Sequence, residues 1–123
     1  MIVPQTEIAG VHLLMSAPGV RRALGAPRAV RTSADGSRRF DYGKTKVYIS
    51  ATGDGTVFRV TTTDRRQKTA SGAGVGSSRA AIARTVRGAR CSASACVVGA
   101  RRVTRFALHD GRVVRITLGY VID

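Results

Sequence analysis

The chain contains the same hairpin pattern twice. Residues 47–60 read VYISATGDGTVFRV and residues 103–116 read VTRFALHDGRVVRI, so that the turn Asp54-Gly55 aligns with Asp110-Gly111. The same alignment matches Gly43 with Gly99, Val47 with Val103, Val57 with Val113 and Arg59 with Arg115. An Asp-Gly pair between alternating apolar residues favours a β-hairpin, because glycine accepts the positive φ of a tight turn. The sequence therefore predicts two antiparallel hairpins of one design.

A helix signal precedes each hairpin. The N-cap residue is Ser16 in the first helix and Ser77 or Ser78 in the second, since serine side chains accept hydrogen bonds from free backbone N–H groups. Apolar residues follow at a spacing of four, which places them on one helix face: Val20 and Leu24, then Ile82 and Val86. Each hairpin is thus expected to follow a short amphipathic helix.

These patterns predict an α+β fold. The strands alternate apolar residues with Arg and Thr, which indicates a sheet with one buried and one exposed face. We expect tandem helix-plus-antiparallel-hairpin repeats that form one sheet with the helices packed on one face. The predicted organisation is a lead-in over 1–9, repeat 1 over 10–63, a linker over 64–71 and repeat 2 over 72–123, all in one compact domain.

The charge of the chain is strongly positive. It has 21 Lys and Arg residues against 7 Asp and Glu residues, a net charge of +14, and a calculated pI near 11.6. Such a field attracts anionic partners such as nucleic acid, acidic glycans, lipid headgroups or acidic proteins. A GC-rich coding sequence, which favours Arg, Ala, Gly and Val codons, explains the same composition without a functional role. Both explanations stay open at the level of sequence.

Two cysteines, Cys91 and Cys96, lie close together in the chain. Two thiols do not complete a four-ligand zinc site, and their spacing differs from that of a CxxC redox pair. A local disulfide is the best interpretation, and it implies an oxidising compartment. We therefore expect a secreted or cell-envelope protein whose signal peptide is not in this sequence, with no metal site. No apolar run approaches the roughly 20 residues that a membrane span needs.

Catalytic motifs are absent from the sequence. His12 and His109 lie far apart, Glu7 is the only glutamate, and no metal-binding, nucleophile-elbow or paired-carboxylate motif is present. We expect a protein that is not an enzyme and that has no catalytic residues and no cofactor.

Arginines crowd the second half of the chain. Arg105 and Arg115 are expected to meet on the exposed sheet face, where like charges destabilise the sheet unless an anionic group lies between them. The candidate binding residues are Arg101, Arg102, Arg105, Arg112 and Arg115 of the second hairpin, Tyr48 of the first, and Arg79, Arg87 and Arg90 around the second helix.

The first half also resembles a known family. Leu14-Met15-Ser16, followed by Val20 and the group Leu24-Gly25-x-Pro27, is similar to the opening motif of BamE/SmpA-like domains, and Phe40-Asp41-Tyr42 resembles their first strand. Two such units in tandem, with a short disulfide in the second, resemble the β-lactamase inhibitory protein family. The resemblance implies an exported, non-enzymatic domain that binds other proteins through a sheet face.

Two functions follow as hypotheses. The first is a non-enzymatic, secreted or cell-envelope module that binds an unknown protein partner through an exposed sheet face, with enzyme inhibition as one form of that binding. The alternative is a module that binds an anionic polymer, nucleic acid or an acidic glycan or lipid, through clustered arginines. Pairing of two copies of the chain through their sheet faces is a third hypothesis.

Overall fold

Antiparallel strands dominate the structure. The computed structural model describes residues 1–120, and strands together with isolated β-bridges make up 45% of it against 12% helix. Three short strands near the N-terminus form a small sheet: β1 (Ile2–Val3), β2 (Glu7–Ile8) and β3 (Val11–His12). Eight strands form a large sheet: β4 (Ala29–Thr32), β5 (Arg38–Asp41), β6 (Thr45–Ile49), β7 (Val57–Thr62), β8 (Arg90–Cys91), β9 (Ala95–Gly99), β10 (Arg102–His109) and β11 (Arg112–Tyr120).

The large sheet is joined at its centre by strands from distant parts of the chain. Its order is β4-β5-β6-β7-β11-β10-β9-β8, with every neighbouring pair antiparallel. The two predicted hairpins are present as β6–β7 and β10–β11. β7 pairs with β11 so that Val60 lies opposite Leu118 and Thr61 opposite Thr117. This central pair brings the two hairpins into one continuous surface.

Both helices begin at the serines that the sequence indicated. Helix α1 (Ala17–Leu24) starts where the Ser16 hydroxyl accepts a 3.1 Å hydrogen bond from the Gly19 backbone N–H. Helix α2 (Arg79–Thr85) starts where the Ser78 hydroxyl accepts one of 3.1 Å from Ala81, so Ser78 rather than Ser77 is the N-cap. These bonds satisfy backbone donors that the first turn of a helix leaves free.

The prediction of an α+β fold built from helix-plus-hairpin repeats with a layer of helices is wrong. The structure is mostly antiparallel β and has two sheets. Helices of 8 and 7 residues extend only about 12 and 10 Å, whereas eight strands spaced at 4.8 Å make a sheet about 34 Å wide. α1 buries only Ala17 and Val20, and α2 only Ile82.

Residues of the N-terminal small sheet cover much of the core that the two short helices do not. Ile2, Ile8 and Val11 of the small sheet are buried in the same core as the two largest buried side chains, Phe40 and Phe106. The small sheet and the turn after it are attached by backbone hydrogen bonds, among them Ile2 N–H to the Lys68 carbonyl at 2.9 Å. None of β1, β2 and β3 could be predicted, because strands of two residues carry no periodic pattern. The predicted boundaries of lead-in, repeats and linker stay a prediction.

The predicted disulfide between Cys91 and Cys96 is confirmed. It joins two residues that lie directly opposite each other, one on β8 and the other on β9. Since β8 is a strand of two residues at the end of the large sheet, the disulfide ties this short edge strand to its neighbour.

Candidate functional site

The large sheet has one face turned away from the core, here called the open face. Alternation along the strands produces it: in β6, Thr45, Val47 and Ile49 are buried, while Lys46 and Tyr48 are partly exposed between them. Registered cross-strand partners lie on the same face of a sheet. Among the residues that this assigns to the open face are Arg31, Arg39, Asp41, Lys46, Tyr48, Arg59, Thr61, Arg90, Val97, Val103, Arg105, Ala107, Arg115, Thr117 and Gly119.

A groove of about 580 Å³ runs across the middle of the open face. It lies where the two hairpins meet and draws on strands β5, β6, β7 and β11. The residues that line this central groove are Arg39, Lys44, Lys46, Tyr48, Arg59, Thr61, Thr63, Arg115 and Thr117. Its wall is therefore made of cationic and hydroxyl-bearing side chains.

Arg59 lies against a pair of aromatic rings. Its guanidinium carbon lies 5.0 Å from the centre of the Tyr48 ring and 5.5 Å from that of Phe58. The ring centres are 6.1 Å apart. Tyr48 is the register partner of Arg59, and Gly119 is the partner on its other side, where no side chain blocks the guanidinium. Cation–π contacts at exposed sites contribute about 0.5–1 kcal/mol each, so they orient Arg59 without neutralising its charge.

Arg39 extends the same row of side chains. It lies opposite Tyr48 on one side and Arg31 on the other. Its Nε is buried and has no hydrogen-bond partner among residues 1–120. A buried donor without a partner costs about 1–3 kcal/mol, so the folded protein places Arg39 in the groove wall at some cost in stability.

Few acidic groups offset these charges. Asp41 lies 3.6 Å from the Lys46 ammonium and accepts a 2.8 Å hydrogen bond from the Gly43 backbone N–H. This backbone hydrogen bond is the main reason that the pKa of Asp41 is lowered, and the charge of Lys46 adds to it. Within the described part of the chain, Arg39, Lys44, Arg59 and Arg115 of the groove form no ion pair.

The structure brings only part of the predicted site together. Tyr48 and Arg115 line the central groove. Arg105 is on the same face as Arg115, but the register places Thr117 opposite Arg105 and Ala107 opposite Arg115. The two arginines are therefore diagonal neighbours, roughly 7–8 Å apart at the backbone, and not directly opposed.

The other predicted residues are spread around the molecule. Arg101 and Arg102 border a shallow depression with Gln5 and Thr6 of the N-terminal segment. Arg112 donates a 3.2 Å hydrogen bond to the Gly76 carbonyl beside the start of α2.

The three arginines around α2 are likewise separate from the groove. Arg79 is an exposed residue in the first turn of the helix. Arg87 borders a cavity with Pro4 and Ser71. Arg90 is on the edge strand β8 and donates a 2.8 Å hydrogen bond to the Gly99 carbonyl.

Sequence reasoning missed most of the groove. Arg39, Lys44, Lys46, Arg59 and the threonines come chiefly from the first half of the chain, where the arginine density is lower. The available signal was the alternation in β6 and β7, which puts Lys46, Tyr48 and Arg59 on the polar face. The contact between β7 and β11 that completes the groove has no local signal.

The groove can donate many hydrogen bonds to an anion. Guanidinium, ammonium and hydroxyl groups are its polar components, and no carboxylate or imidazole is among its lining residues. Within residues 1–120 no group of three or more His, Cys, Asp or Glu side chains is arranged to hold a metal ion. The chemistry that this arrangement offers is recognition of negatively charged groups.

Comparison with known proteins gives a likeness of fold. No family model and no curated protein matches this chain. It is similar to the 1.5 Å crystal structure of an extracellular protein containing a SCP domain from Bacillus anthracis str. Ames, with a TM-score of 0.70 and 7% sequence identity. The match covers 88% of this chain and 44% of that chain, so this chain spans less than half the length of its structural neighbour.

Two further features bear on location. The Cys91–Cys96 disulfide fits an oxidising, extracellular compartment. Within residues 1–120, neither helix has the length and apolar character that crossing a membrane requires.

Proposed function

We propose that this chain is a non-enzymatic, secreted or cell-envelope protein that binds another protein through the open face of its large sheet. The observation that carries the proposal is the cluster of Tyr48, Phe58 and Arg59, where two rings hold an arginine in place at an accessible surface. Tyr and Arg are among the residues that contribute most to protein–protein binding energy. If the partner is an enzyme and the contact covers its active site, the chain acts as an inhibitor.

Photocrosslinking tests this proposal. A photoreactive phenylalanine analogue, which keeps an aromatic ring next to Arg59, replaces Tyr48 on the open face, and a control variant carries it at Ala83, which is exposed on α2. Both are incubated with culture fluid and envelope extract of the source organism. We expect a discrete protein adduct from the Tyr48 variant that the Ala83 variant does not form. Equal adducts from both positions, or none from Tyr48, would contradict the proposal.

The second candidate function is binding of an anionic polymer. The excess of cations on the open face and the net charge of +14 favour it. A titration with a sulfated oligosaccharide and a single-stranded oligonucleotide at several salt concentrations distinguishes the two functions. Polyanion binding loses affinity steeply with salt, with a log–log slope of roughly 0.7 per phosphate contact for single strands. A flat salt response would exclude this candidate.

A further inference from the structure

The central groove combines several cations with nearby hydroxyl donors. Arg39, Lys44, Arg59 and Arg115 have no ion-pair partner within residues 1–120, and Thr61, Thr63 and Thr117 line the same space. Charged donors and hydroxyl groups together surround oxyanions with hydrogen bonds. A space of about 580 Å³ has room for a few side chains of a partner.

Arg59 is a cation of this groove that contacts two aromatic rings. Its guanidinium carbon lies near the rings of Tyr48 and Phe58, and a cation–π contact of this kind does not consume the N–H donors, which a ligand can still use. A guanidinium edge forms two parallel hydrogen bonds with a carboxylate, a geometry that lysine does not reproduce. Since the rings hold Arg59 before a ligand binds, less side-chain entropy is lost on binding.

The rest of the open face favours a protein as the source of the anion. Beyond the groove, Val97, Val103 and Ala107 bring apolar side chains to this face around Arg105. Protein–protein interfaces combine apolar contacts with Arg and Tyr, whereas nucleic-acid interfaces are more polar and more uniformly cationic. At the other end of the groove lies the carboxylate of Asp41. It would repel an anionic polymer that extended past the groove on that side.

From these observations we propose that the central groove binds the carboxylates of an acidic segment on a protein partner. Arg59 is the anchoring residue, and Arg39 and Arg115 contact neighbouring carboxylates. Apolar residues next to the acidic ones in the partner pack on Val97 and Val103. This inference rests on the proposed function, because it specifies the chemistry of the partner that the open face binds.

Binding of defined peptides tests the inference. The probe is a short peptide with consecutive glutamates flanked by leucines, compared with a glutamine version, a sulfated oligosaccharide and a single-stranded oligonucleotide. We expect the glutamate peptide to bind most tightly, and Arg59→Ala and Arg59→Lys each to weaken it by about tenfold or more. Arg22→Ala removes the same charge from an exposed position on α1 and is expected to change affinity less than about twofold.

Several outcomes would overturn the inference. These are no binding of the glutamate peptide, an equal effect of Arg22→Ala and Arg59→Ala, or tighter Arg59-dependent binding of the oligosaccharide or oligonucleotide. Thermal unfolding of each variant checks that it is folded. Failure of the peptide while Tyr48 crosslinking still succeeds would reject the partner chemistry alone. Peptide binding without a crosslinked partner would instead reject the proposed function.

Discussion

At the scale of single residues, two glycines that both have a positive φ have very different surroundings. Gly99 has a φ of +106° and Gly111 a φ of +74°, a region that side-chain-bearing residues rarely adopt. A Cβ on Gly99 would collide with the Arg102 carbonyl oxygen and approach the Gln5 side chain, whereas a Cβ on Gly111 would meet nothing within 4 Å. The aligned Gly43 and Gly55 are also at positive φ.

Alanine substitution separates the cost of a positive φ from the cost of a collision between an added Cβ and the backbone. We expect Gly111→Ala to lower the free energy of unfolding by about 1 kcal/mol, because only the left-handed conformation is penalised. Gly99→Ala adds a backbone collision and is expected to lower it by about 3 kcal/mol. Urea denaturation of both variants measures the difference. Equal losses of unfolding free energy in the two variants would show that the backbone at Gly99 shifts to accept a Cβ without a measurable cost.

Asp64 is a buried carboxylate that organises the chain after β7. It accepts hydrogen bonds from the Arg66 backbone N–H at 2.9 Å and from its guanidinium at 3.2 and 3.0 Å. The side-chain hydrogen bonds from Arg66 are the main reason that the pKa of Asp64 lies below its ordinary value of 3.8. A lowered pKa in the folded state means that the contribution to stability is present above about pH 4 and is lost as the pH falls through the folded value.

Replacing the Asp64 carboxylate should make the melting temperature depend less on pH in the acid range. We expect the melting temperature of the protein to fall between about pH 5 and pH 2, and that of Asp64→Asn to fall less over the same range, because the variant has no proton to bind there. The exposed Asp54→Asn is the matched control and should follow the parent protein. An Asp64→Asn curve parallel to the parent curve would contradict the assignment.

At the scale of elements, the small sheet covers part of the core that the sequence predicted helices to cover. Ile2 and Ile8 are almost fully buried, although they come from strands of two residues each.

The hairpins and the N-caps could be predicted, because strand alternation and serine caps act over a few neighbouring residues. Strands β4 and β8 were also missed, since they are short edge strands with all of their residues exposed.

Truncation of Ile8 tests the contribution of the small sheet. Ile8→Ala removes methyl groups from a side chain with no exposed area, and we expect it to lower the free energy of unfolding by about 2–4 kcal/mol. Val30→Ala on β4, where the valine is 44% exposed, is the control and should change it by less than about 0.5 kcal/mol. Similar values for the two variants in urea denaturation would mean that the small sheet does not stabilise the core.

At the scale of the whole molecule, charge is the dominant feature. The net charge is +14, and the described residues contain three acid–base contacts within 4 Å, one of which involves a histidine. Repulsion among unpaired cations opposes the compact state. At low ionic strength this repulsion extends across the molecule, because the Debye length is about 30 Å at 0.01 M and about 8 Å at 0.15 M salt.

Salt is therefore expected to stabilise this protein. We expect the melting temperature to rise by several degrees between about 0.01 and 0.15 M sodium chloride, in a range where screening of repulsion outweighs loss of the few attractive pairs. Replacing the exposed Arg22 and Arg84 with glutamine should reduce this rise, because it lowers the net charge. Differential scanning calorimetry measures both. A fall in melting temperature with added salt would show that attractive pairs dominate instead.

The sequence by itself determined the local features of this protein: the two hairpins, the serine caps, the disulfide and the polar side of each strand. Backbone sterics, capping and loop closure act between residues that are close in the chain, so their signals can be found there. Only the tertiary structure decided that β7 pairs with β11 and that Arg59 and Arg115 line one groove. Pairing of distant strands depends on the core that they bury together, and no local pattern specifies it.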